Sequence, residues 1–441
     1  MSPILEAVKC KVKSTRLEKN FVISGRVSKF DGVMISCDGF PANIGTLCSI
    51  ETDNGQLATG EIVGFKKGEN ILSVYESGAR IKVGAKVQIK DVGTVVKVGP
   101  GLLGRVIDAL GDPLDEKESP MLEDEWPLLG KSVNPLLKNP ISEPLDVGVR
   151  VINSVISIGK GQRVGIIAGS GVGKSVLLGM MTKFTEADII VVGLIGERGR
   201  EVGNFVNSII SSKAKNKTII VAVPADRSPL LRIRGANRAT AIAEYFRGQG
   251  KNVLLIMDSL TRVAHAQREI GLGSGEQPTS KGYPPSVVSL IPRLIERSGT
   301  GKVGEGSITA FYTVLADGDD TNDPVVDAAR AILDGHIVLS RQQSLLGIYP
   351  AVDVPNSISR VMNEITDGKQ QKAAIDFKKN ISLYLDNRDL LLMGGYSEGQ
   401  DEDLDRAISM WPDLVNHISQ KDDVGANYSD SKSALIKLLG E

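Results

Sequence analysis

The stretch Gly161-Gln-Arg-Val-Gly-Ile-Ile-Ala-Gly-Ser-Gly-Val-Gly-Lys-Ser175 decides how this chain folds. It begins with a short apolar run, continues through glycines and other small residues, and leads into the helix-forming residues after Ser175. We interpret it as a buried strand, a loop and the start of a helix. The backbone N–H groups of such a loop turn inward around an anion, and the helix dipole strengthens the attraction. The stretch therefore predicts a phosphate-binding loop.

The residues of this loop have separate predicted roles in binding ATP and Mg²⁺. Lys174 would reach the β- and γ-phosphates, and the Ser175 hydroxyl would ligate Mg²⁺. The usual pattern begins with glycine where this chain has Ala168, a small residue that still permits the close approach. A Gly-rich hairpin is the alternative, and the strand and helix on either side disfavour it. The residues expected to surround the phosphates with their backbone are Gly169, Ser170, Gly171, Val172 and Gly173.

Length and composition limit the possible functions. The 441 residues leave room for two or three domains. A formal net charge of -1 disfavours a chain-wide electrostatic role in holding nucleic acid. Cys10, Cys37 and Cys48 show neither a disulfide framework nor zinc-ligand spacing, which indicates a reduced, cytosolic setting. The apolar runs are strand-sized, so any membrane contact is expected to be peripheral.

Residues 1–92 are predicted to form an N-terminal β-barrel domain. Short runs of alternating apolar and polar residues recur here between Gly, Asn and Asp turn signals, as in a small barrel or sandwich. We expect strands in Phe21 to Ser36, Gly60 to Phe65, Asn70 to Tyr75 and Ala85 to Ile89. The segment from Ile4 to Val12 is either a docking helix or a partly ordered terminus.

The middle of the chain, residues 93–367, is predicted to be an α/β domain. Prolines and glycines between Pro100 and Pro144 exclude a long helix and favour a connector that wraps over a surface. Continuous apolar runs then alternate with helical segments such as Ala236 to Arg247, a pattern typical of a parallel sheet covered on both faces. The expected central strands are Val164 to Ala168, Ile189 to Ile195, Thr218 to Val223, Val253 to Met257, Ile308 to Leu315 and His336 to Ser340.

Residues 368–441 are predicted to form a C-terminal helical domain. Its expected helices are Lys369 to Leu385, Leu404 to Ile418 and Lys432 to Leu439. Met393-Gly-Gly-Tyr-Ser and Trp411-Pro412 are expected to break the helical pattern.

Two carboxylates follow predicted strands and are candidate site residues, because ligands of such sheets lie at the carboxyl ends of the strands. Asp258 comes directly after Val253 to Met257 and is suited to hold Mg²⁺ through the water bound to the ion. It could also cap the helix that follows, and the two roles do not exclude each other. Glu197 follows the strand ending at Ile195 and could orient, or take a proton from, the water that attacks the γ-phosphate. In isolation, Glu197-Arg-Gly-Arg-Glu would be a solvated surface turn.

Taken together, these motifs resemble those of the RecA-like hexameric ATPases related to the catalytic subunit of rotary ATP synthases. Within that group the chain is most similar to the flagellar protein-export ATPases. The similarity implies a RecA-like P-loop ATPase core with an N-terminal β-barrel and a C-terminal helical domain. The matching motifs are Ala168-Gly-Ser-Gly-Val-Gly-Lys-Ser, Gly196-Glu-Arg-Gly-Arg-Glu, Met257-Asp-Ser-Leu-Thr-Arg, Gly282-Tyr-Pro-Pro-Ser, Ile332-Leu-Asp-Gly-His-Ile-Val-Leu-Ser-Arg and Gly347-Ile-Tyr-Pro-Ala-Val-Asp.

The resemblance implies further residue roles. Glu197 matches the catalytic carboxylate of catalytic subunits, and Tyr349 matches an aromatic that packs on adenine. Arg360 matches an arginine finger inserted into the neighbouring subunit's site. Catalysis would then involve Glu197, Lys174 and Arg360, with Mg²⁺ near Ser175 and Asp258. A homohexameric ring with sites at subunit interfaces follows from such a finger.

The resemblance also implies a biological setting. The expected function is Mg-dependent ATP hydrolysis that powers or primes export of flagellar proteins through a type III secretion apparatus. The expected partners are a regulator, stalk-like proteins, export chaperones and a membrane export gate, at the inner face of the cell membrane. The alternatives are the ATPase of a virulence injectisome, a rotary ATP synthase subunit, and an RNA translocase, which the 4% aromatic content disfavours.

Overall fold

The computed structural model describes residues 23–31, 34–76, 78–131, 133–315 and 323–439. The chain divides into two compact units, the first ending at Thr94 and the second beginning at Val95. The predicted helix from Ile4 to Val12 lies outside the described residues. The predicted boundary between 367 and 368 falls inside the second unit and stays a prediction.

The first unit is a closed antiparallel barrel with the strand order β1-β2-β5-β4-β3-β6. Alternate side chains fill its interior, as the period of two along a strand requires. The predicted barrel is thereby confirmed. The strand Leu47–Glu51 was not predicted, because its inward residues are only Cys48 and Ile50. The strands are β1 (Ser24–Phe30), β2 (Met34–Asp38), β3 (Leu47–Glu51), β4 (Leu57–Lys66), β5 (Glu69–Val74) and β6 (Lys86–Asp91).

The second unit is built on a mostly parallel sheet with the order β17-β16-β10-β15-β13-β11-β12-β8, and β14 pairs with β15 outside this path. β7 and β9 form a separate ribbon. Between Pro100 and Pro144 the described residues form only short 3-10 turns and strands, so the predicted absence of a long helix holds there, and the connector adds β8 to the sheet edge. The strands are β7 (Val95–Val98), β8 (Val106–Ile107), β9 (Asp124–Pro127), β10 (Arg163–Ala168), β11 (Ile189–Ile195), β12 (Thr218–Val223), β13 (Asn252–Asp258), β14 (Gly299–Thr300), β15 (Ser307–Leu315), β16 (Gly335–Leu339) and β17 (Val352–Ser359).

Helices cover both faces of this sheet, and short 3-10 turns occur at Pro100–Leu102, Pro135–Leu137, Lys213–Lys217 and Ser280–Gly282. The α-helices are α1 (Arg150–Val155), α2 (Lys174–Phe184), α3 (Gly199–Ile210), α4 (Pro229–Gly248), α5 (Leu260–Gly273), α6 (Pro285–Ile295), α7 (Pro324–Ile332), α8 (Arg341–Leu345), α9 (Met362–Ile365), α10 (Gly368–Leu392), α11 (Glu402–Ile418) and α12 (Tyr428–Leu439). Within the described ranges, no helix is both long and apolar enough to cross a bilayer.

The C-terminal helices match the predicted segments, with one correction. Trp411-Pro412 does not break the helical pattern, because Pro412 lies inside α11. A proline inside a helix costs one backbone hydrogen bond. Packing on both sides of Pro412 opposes that cost, since Leu404 and Leu414 are buried and the Trp411 ring stacks on Tyr384 at a centroid distance of 3.9 Å.

Two features of the sheet determine where the functional residues lie. β10, β11, β12, β13, β15 and β16 run parallel, so their carboxyl ends meet at one edge. β17 runs antiparallel to β16, with Leu339 opposite Val352 and Gly335 opposite Ser359. The residues after β17 therefore leave the sheet at its amino edge.

Candidate active site at the carboxyl edge of the sheet

The predicted phosphate loop lies between β10 and α2, at the carboxyl edge. Gly171 and Gly173 have φ values of 79° and 91°, a left-handed conformation that favours glycine. Gly173 is the N-cap of α2, and no side chain caps that helix. The first N–H groups of α2 are thus available to an anion, and the helix dipole attracts negative charge there.

Three charged side chains meet beside this loop. The Lys174 ammonium forms an ion pair with the Asp258 carboxylate and lies 3.4 Å from Oε1 of Glu197. All three side chains are largely buried, with exposed fractions of 11%, 5% and 7% for Lys174, Asp258 and Glu197. The Thr313 hydroxyl donates to Asp258 at 2.7 Å. The carboxyl edge therefore brings together Lys174, Asp258 and Glu197, which are distant in sequence.

Asp258 does not cap the helix that follows it, so the capping interpretation is wrong. The N-cap of α5 is Ser259, whose hydroxyl accepts a hydrogen bond from the backbone N–H of Arg262 at 3.3 Å. Asp258 is the last residue of β13, and its side chain points to Lys174 and Thr313 instead. Asp258 is therefore available to the site.

A cavity of about 490 Å³ opens over the phosphate loop. It is lined by Lys174, Ser175, Glu197 and the loop backbone, and also by Arg262, which we did not predict. The Arg262 Cβ lies 2.8 Å from the position that a Cβ on Gly196 would take, so only glycine fits at residue 196. The Nε of Arg262 is buried and has no hydrogen-bond partner among the described residues. Arg262 ends the motif Met257-Asp-Ser-Leu-Thr-Arg. Its position one helical turn after Asp258 is the signal that could have found it.

A second cavity of about 980 Å³ adjoins the first and shares Gly171, Gly173 and Val176 with it. Tyr349 lines this cavity, and its ring lies 3.5 Å from the position that a Cβ on Gly173 would take. The segment Ser419 to Asp423, between α11 and α12, forms the opposite wall. The backbone N–H of Gln420 donates to the Tyr349 carbonyl at 2.8 Å. The loop between the last two helices thus contributes directly to the cavity that holds Tyr349.

Arg360 lies apart from all of these residues. It follows Ser359, which pairs with Gly335 at the amino end of β16, whereas the phosphate loop begins after Ala168, which pairs with Leu339 at the carboxyl end. The four residue steps from Gly335 to Leu339 span about 13 Å. The exposed Arg360 guanidinium donates at 3.4 Å to the carbonyl of Arg330, at this amino edge. Arg360 therefore does not contact the phosphate loop of its own chain.

Comparisons with known proteins agree with this arrangement. Residues 148–359 match the nucleotide-binding domain of the ATP synthase alpha/beta family, and residues 366–437 match the C-terminal domain of the type III secretion ATPase EscN. The flagellum-specific ATP synthase of Pseudomonas aeruginosa is 48% identical over 422 residues, which cover 95% of this chain and 93% of that relative. The chain belongs to the family of flagellum-specific ATP synthases.

Solved structures of related ATPases also have this fold. The assembled ATPase EscN from the enteropathogenic E. coli type III secretion system is 40% identical, with a TM-score of 0.88 over 94% of this chain and 100% of that one. EscN in complex with its central stalk EscO is 39% identical, with a TM-score of 0.86 over the same shares of the two chains. The predicted fold class and family are confirmed, and the chain is an ATPase whose substrate is a nucleotide.

Proposed function

We propose that this ATPase hydrolyses Mg·ATP at sites shared between adjacent copies in a homohexameric ring. The position of Arg360 carries the proposal. Its side chain is exposed at the amino edge, about 13 Å along the sheet from the phosphate loop of the same chain. An arginine that completes an ATPase site from there must do so in another copy. The assembled form of EscN, which shares this fold, supports a closed ring of such interfaces.

The donors beside the phosphate loop suit Mg²⁺. The Ser175 hydroxyl and the Asp258 carboxylate are oxygen ligands, which Mg²⁺ prefers. Among the described residues, no group of three acidic, His or Cys side chains is placed to hold a metal ion by itself. Mg²⁺ commonly takes one or two protein oxygens and completes its shell with phosphates and water. When bound, it neutralises charge that develops on the phosphates. Ser175 would ligate the ion directly, and Asp258 would hold it through its shell.

Each protein group would then have a defined part in hydrolysis. Glu197 orients the attacking water and accepts its proton as the oxygen bonds to the γ-phosphorus, while the bond to the β,γ-bridging oxygen breaks and releases ADP and phosphate. Lys174, held between Glu197 and Asp258, stabilises negative charge on the β- and γ-phosphates. Arg360 from the neighbouring copy stabilises the charge of the transition state, and Tyr349 packs on the adenine ring.

The cavity beside Tyr349 connects nucleotide binding to the C-terminal helices. Gln420 donates to Tyr349 through its backbone, and its side-chain amide accepts from the Arg150 N–H at 2.7 Å and donates to the Gly148 carbonyl at 2.8 Å. A nucleotide in the cavity would therefore affect the positions of α11 and α12 through Gln420, which lies between these helices. This connection would transmit binding and release of nucleotide to the C-terminal part of each copy.

The same C-terminal part presents a surface suited to a stalk-like partner. Leu390, Leu392 and Met393, at the end of α10, are exposed by 44%, 74% and 82%. Exposed apolar side chains at one helix end are typical of a contact surface. EscN is known in complex with its central stalk EscO, which supports a similar partner here. We propose that the ring acts in the cytoplasm, against the membrane-embedded flagellar export apparatus, where it prepares proteins and their chaperones for export.

An experiment in the native organism tests the export assignment. Lys174→Ala removes the phosphate-binding ammonium, and Arg293→Gln is the matched control, since it removes an exposed cation on α6 outside the cavity. With both proteins made at normal levels, we expect Lys174→Ala cells to grow normally without external filaments. Filaments at the normal number would contradict the proposal. Loss of secretion of other proteins with normal filaments would instead favour the injectisome.

A further inference from the structure

We propose that Arg330 supplies, beside Arg360, a second positive charge to the phosphates held by the neighbouring copy. The inference rests on the proposed shared site. Arg330 lies in the last turn of α7, a helix that ends at the amino edge of the sheet. Its carbonyl is one of the helix-terminal carbonyls without an intrahelical partner, and the Arg360 guanidinium donates to it at 3.4 Å. The two arginines are therefore neighbours on one exposed edge.

The Arg330 side chain has no partner of its own in the described part of the chain. Its Nε is buried and makes no hydrogen bond there, and neither Arg330 nor Arg360 takes part in a salt bridge among the described residues. A buried N–H without an acceptor costs free energy, so native structures rarely leave one unpaired. The terminal nitrogens of the guanidinium also make no hydrogen bond with the described residues, and they are not buried, so an acceptor from outside the chain would pair with them rather than with Nε.

Other cations crowd the same place. Burial lowers the pKa of His336, and the positive charges of Arg330, Arg360 and Lys378 lower it further. The Lys378 ammonium donates to the Ser357 carbonyl at 2.7 Å, a neutral acceptor. The nearby carboxylate of Asp334 is already bound by Arg163, with Nε 3.0 Å from Oδ2. Among the described residues, no carboxylate therefore forms an ion pair with Arg330, Arg360 or Lys378.

A polyanion at this edge would relieve the repulsion between the cations and accept hydrogen bonds from the terminal nitrogens of Arg330. In the proposed ring, the triphosphate bound by the next copy is such a polyanion, and Arg360 is the group that reaches it. Arginine suits this position because its guanidinium presents several N–H groups to phosphate oxygens at once. Arg330 thus adds positive charge where negative charge develops in the transition state of hydrolysis.

The test begins with the kinetics of Arg330→Gln. We expect kcat about tenfold lower and the KM for ATP within about twofold of wild type, because the lost interaction acts on the transition state. Arg330→Lys keeps the charge and loses the planar set of N–H donors, so its kcat should lie between those of Arg330→Gln and wild type. Arg293→Gln removes one exposed arginine on α6 and is the matched control, expected to be unchanged. A wild-type kcat for Arg330→Gln would overturn the inference.

Mixed rings show whether Arg330 acts across the interface. In an equal mixture of Arg330→Gln and Glu197→Gln chains, about one quarter of random interfaces join an intact Glu197 to an intact Arg330. The rate should then rise about fivefold above the mean of the two separate preparations. A rate equal to that mean would show that Arg330 acts only in its own chain and would overturn the inference. The inference is also overturned if Arg330→Gln unfolds or fails to assemble, because Arg330 would then have a structural role.

The Arg360→Ala variant separates this inference from the proposed function. Loss of activity in Arg360→Ala with full activity in Arg330→Gln would refute only the inference about Arg330. Full activity in an assembled ring of Arg360→Ala would refute the shared site and, with it, the inference.

Discussion

The two edges of the large sheet carry opposite electrostatic arrangements. At the carboxyl edge, Lys174 is paired with Asp258 and lies close to Glu197, so charges of both signs are buried together. At the amino edge, Arg330, Arg360 and Lys378 surround His336 without a salt bridge among the described residues. The charges at the carboxyl edge are paired within the chain, whereas we propose that the cations at the amino edge pair with an anion from outside it. The difference indicates half of a site at each edge, which a ring of copies would join.

Removing Arg360 should break this arrangement most strongly. We expect Arg360→Ala to lower kcat by about 10³-fold or more, because an arginine finger stabilises transition-state charge by that order. The chain should still bind ATP with similar affinity, since the phosphate loop lies elsewhere. Steady-state kinetics and nucleotide binding of the assembled protein check both statements. An unchanged kcat would contradict the division of the site between the two edges.

The second-largest effect on kcat is expected from Glu197, the proposed proton acceptor at the carboxyl edge. Glu197→Gln keeps the shape of a side chain that is 7% exposed and removes its charge. We expect kcat to fall by about 10²-fold or more, the usual range for a general base. The neighbouring Glu201, which is 44% exposed and lines the same cavity, provides the control Glu201→Gln. Equal losses in both variants would show that Glu197 has no special function.

The two edges should also differ in stability. Lys174→Met leaves the buried carboxylates of Asp258 and Glu197 without their cation, and we expect the free energy of unfolding to fall by about 3 kcal/mol. Arg360→Met removes an exposed cation without an ion pair and should change that free energy by less than about 0.5 kcal/mol. Denaturant unfolding of the nucleotide-free proteins measures the difference. Similar losses in both variants would contradict the contrast in charge balance.

A smaller effect is expected at the cavity beyond the phosphate loop. Tyr349→Ala removes a ring that borders Gly173, and we expect the KM for ATP to rise about tenfold with kcat little changed, because stacking on adenine contributes to binding alone. Tyr349→Phe is the matched control, since it keeps the ring and loses only the hydroxyl contact with Ser344 at 2.8 Å. A lower kcat at unchanged KM in Tyr349→Ala would argue against a base-binding role.

The smallest effect concerns His336. Its pKa is below that of a histidine in the unfolded chain, so its contribution to stability is lost as the pH falls below about 6.5. Arg330→Gln should raise the pKa of His336 towards its ordinary value, which NMR titration of the histidine side chains can follow. Arg293→Gln should leave it unchanged. A His336 pKa that does not move would show that Arg330 exerts no field at this edge.

The sequence was sufficient to predict most of the fold. Continuous apolar runs gave the parallel strands, because a strand buried on both faces needs apolar residues throughout. Leu47–Glu51 was missed, since two inward side chains are too few for a periodic signal. Pro412 was expected to break a helix, but it lies inside α11, because packing around Trp411 outweighs the low helix propensity of proline. Such tertiary effects cannot be obtained from the residues on either side.

The candidate site was predictable only in part. Lys174, Asp258 and Glu197 each lie at or after the carboxyl end of a predicted strand, so the rule that ligands lie at these ends was enough to bring them together. Arg262 was missed because its one local signal, the position four residues after Asp258, was not used, and its packing against Gly196 appears only in the folded chain. The location of Arg360 depends on the antiparallel direction of β17, which the pattern of residues does not reveal.

The central claim is that one chain supplies Lys174 and Glu197 and its neighbour supplies Arg360. The most direct measurement mixes Glu197→Gln and Arg360→Ala chains, each almost inactive alone, and follows ATP hydrolysis after the ring reassembles. About one quarter of random interfaces would join an intact Glu197 to an intact Arg360, so we predict about one quarter of the wild-type rate. A mixture as inactive as its two components would show that both residues must belong to the same chain, and it would contradict the account.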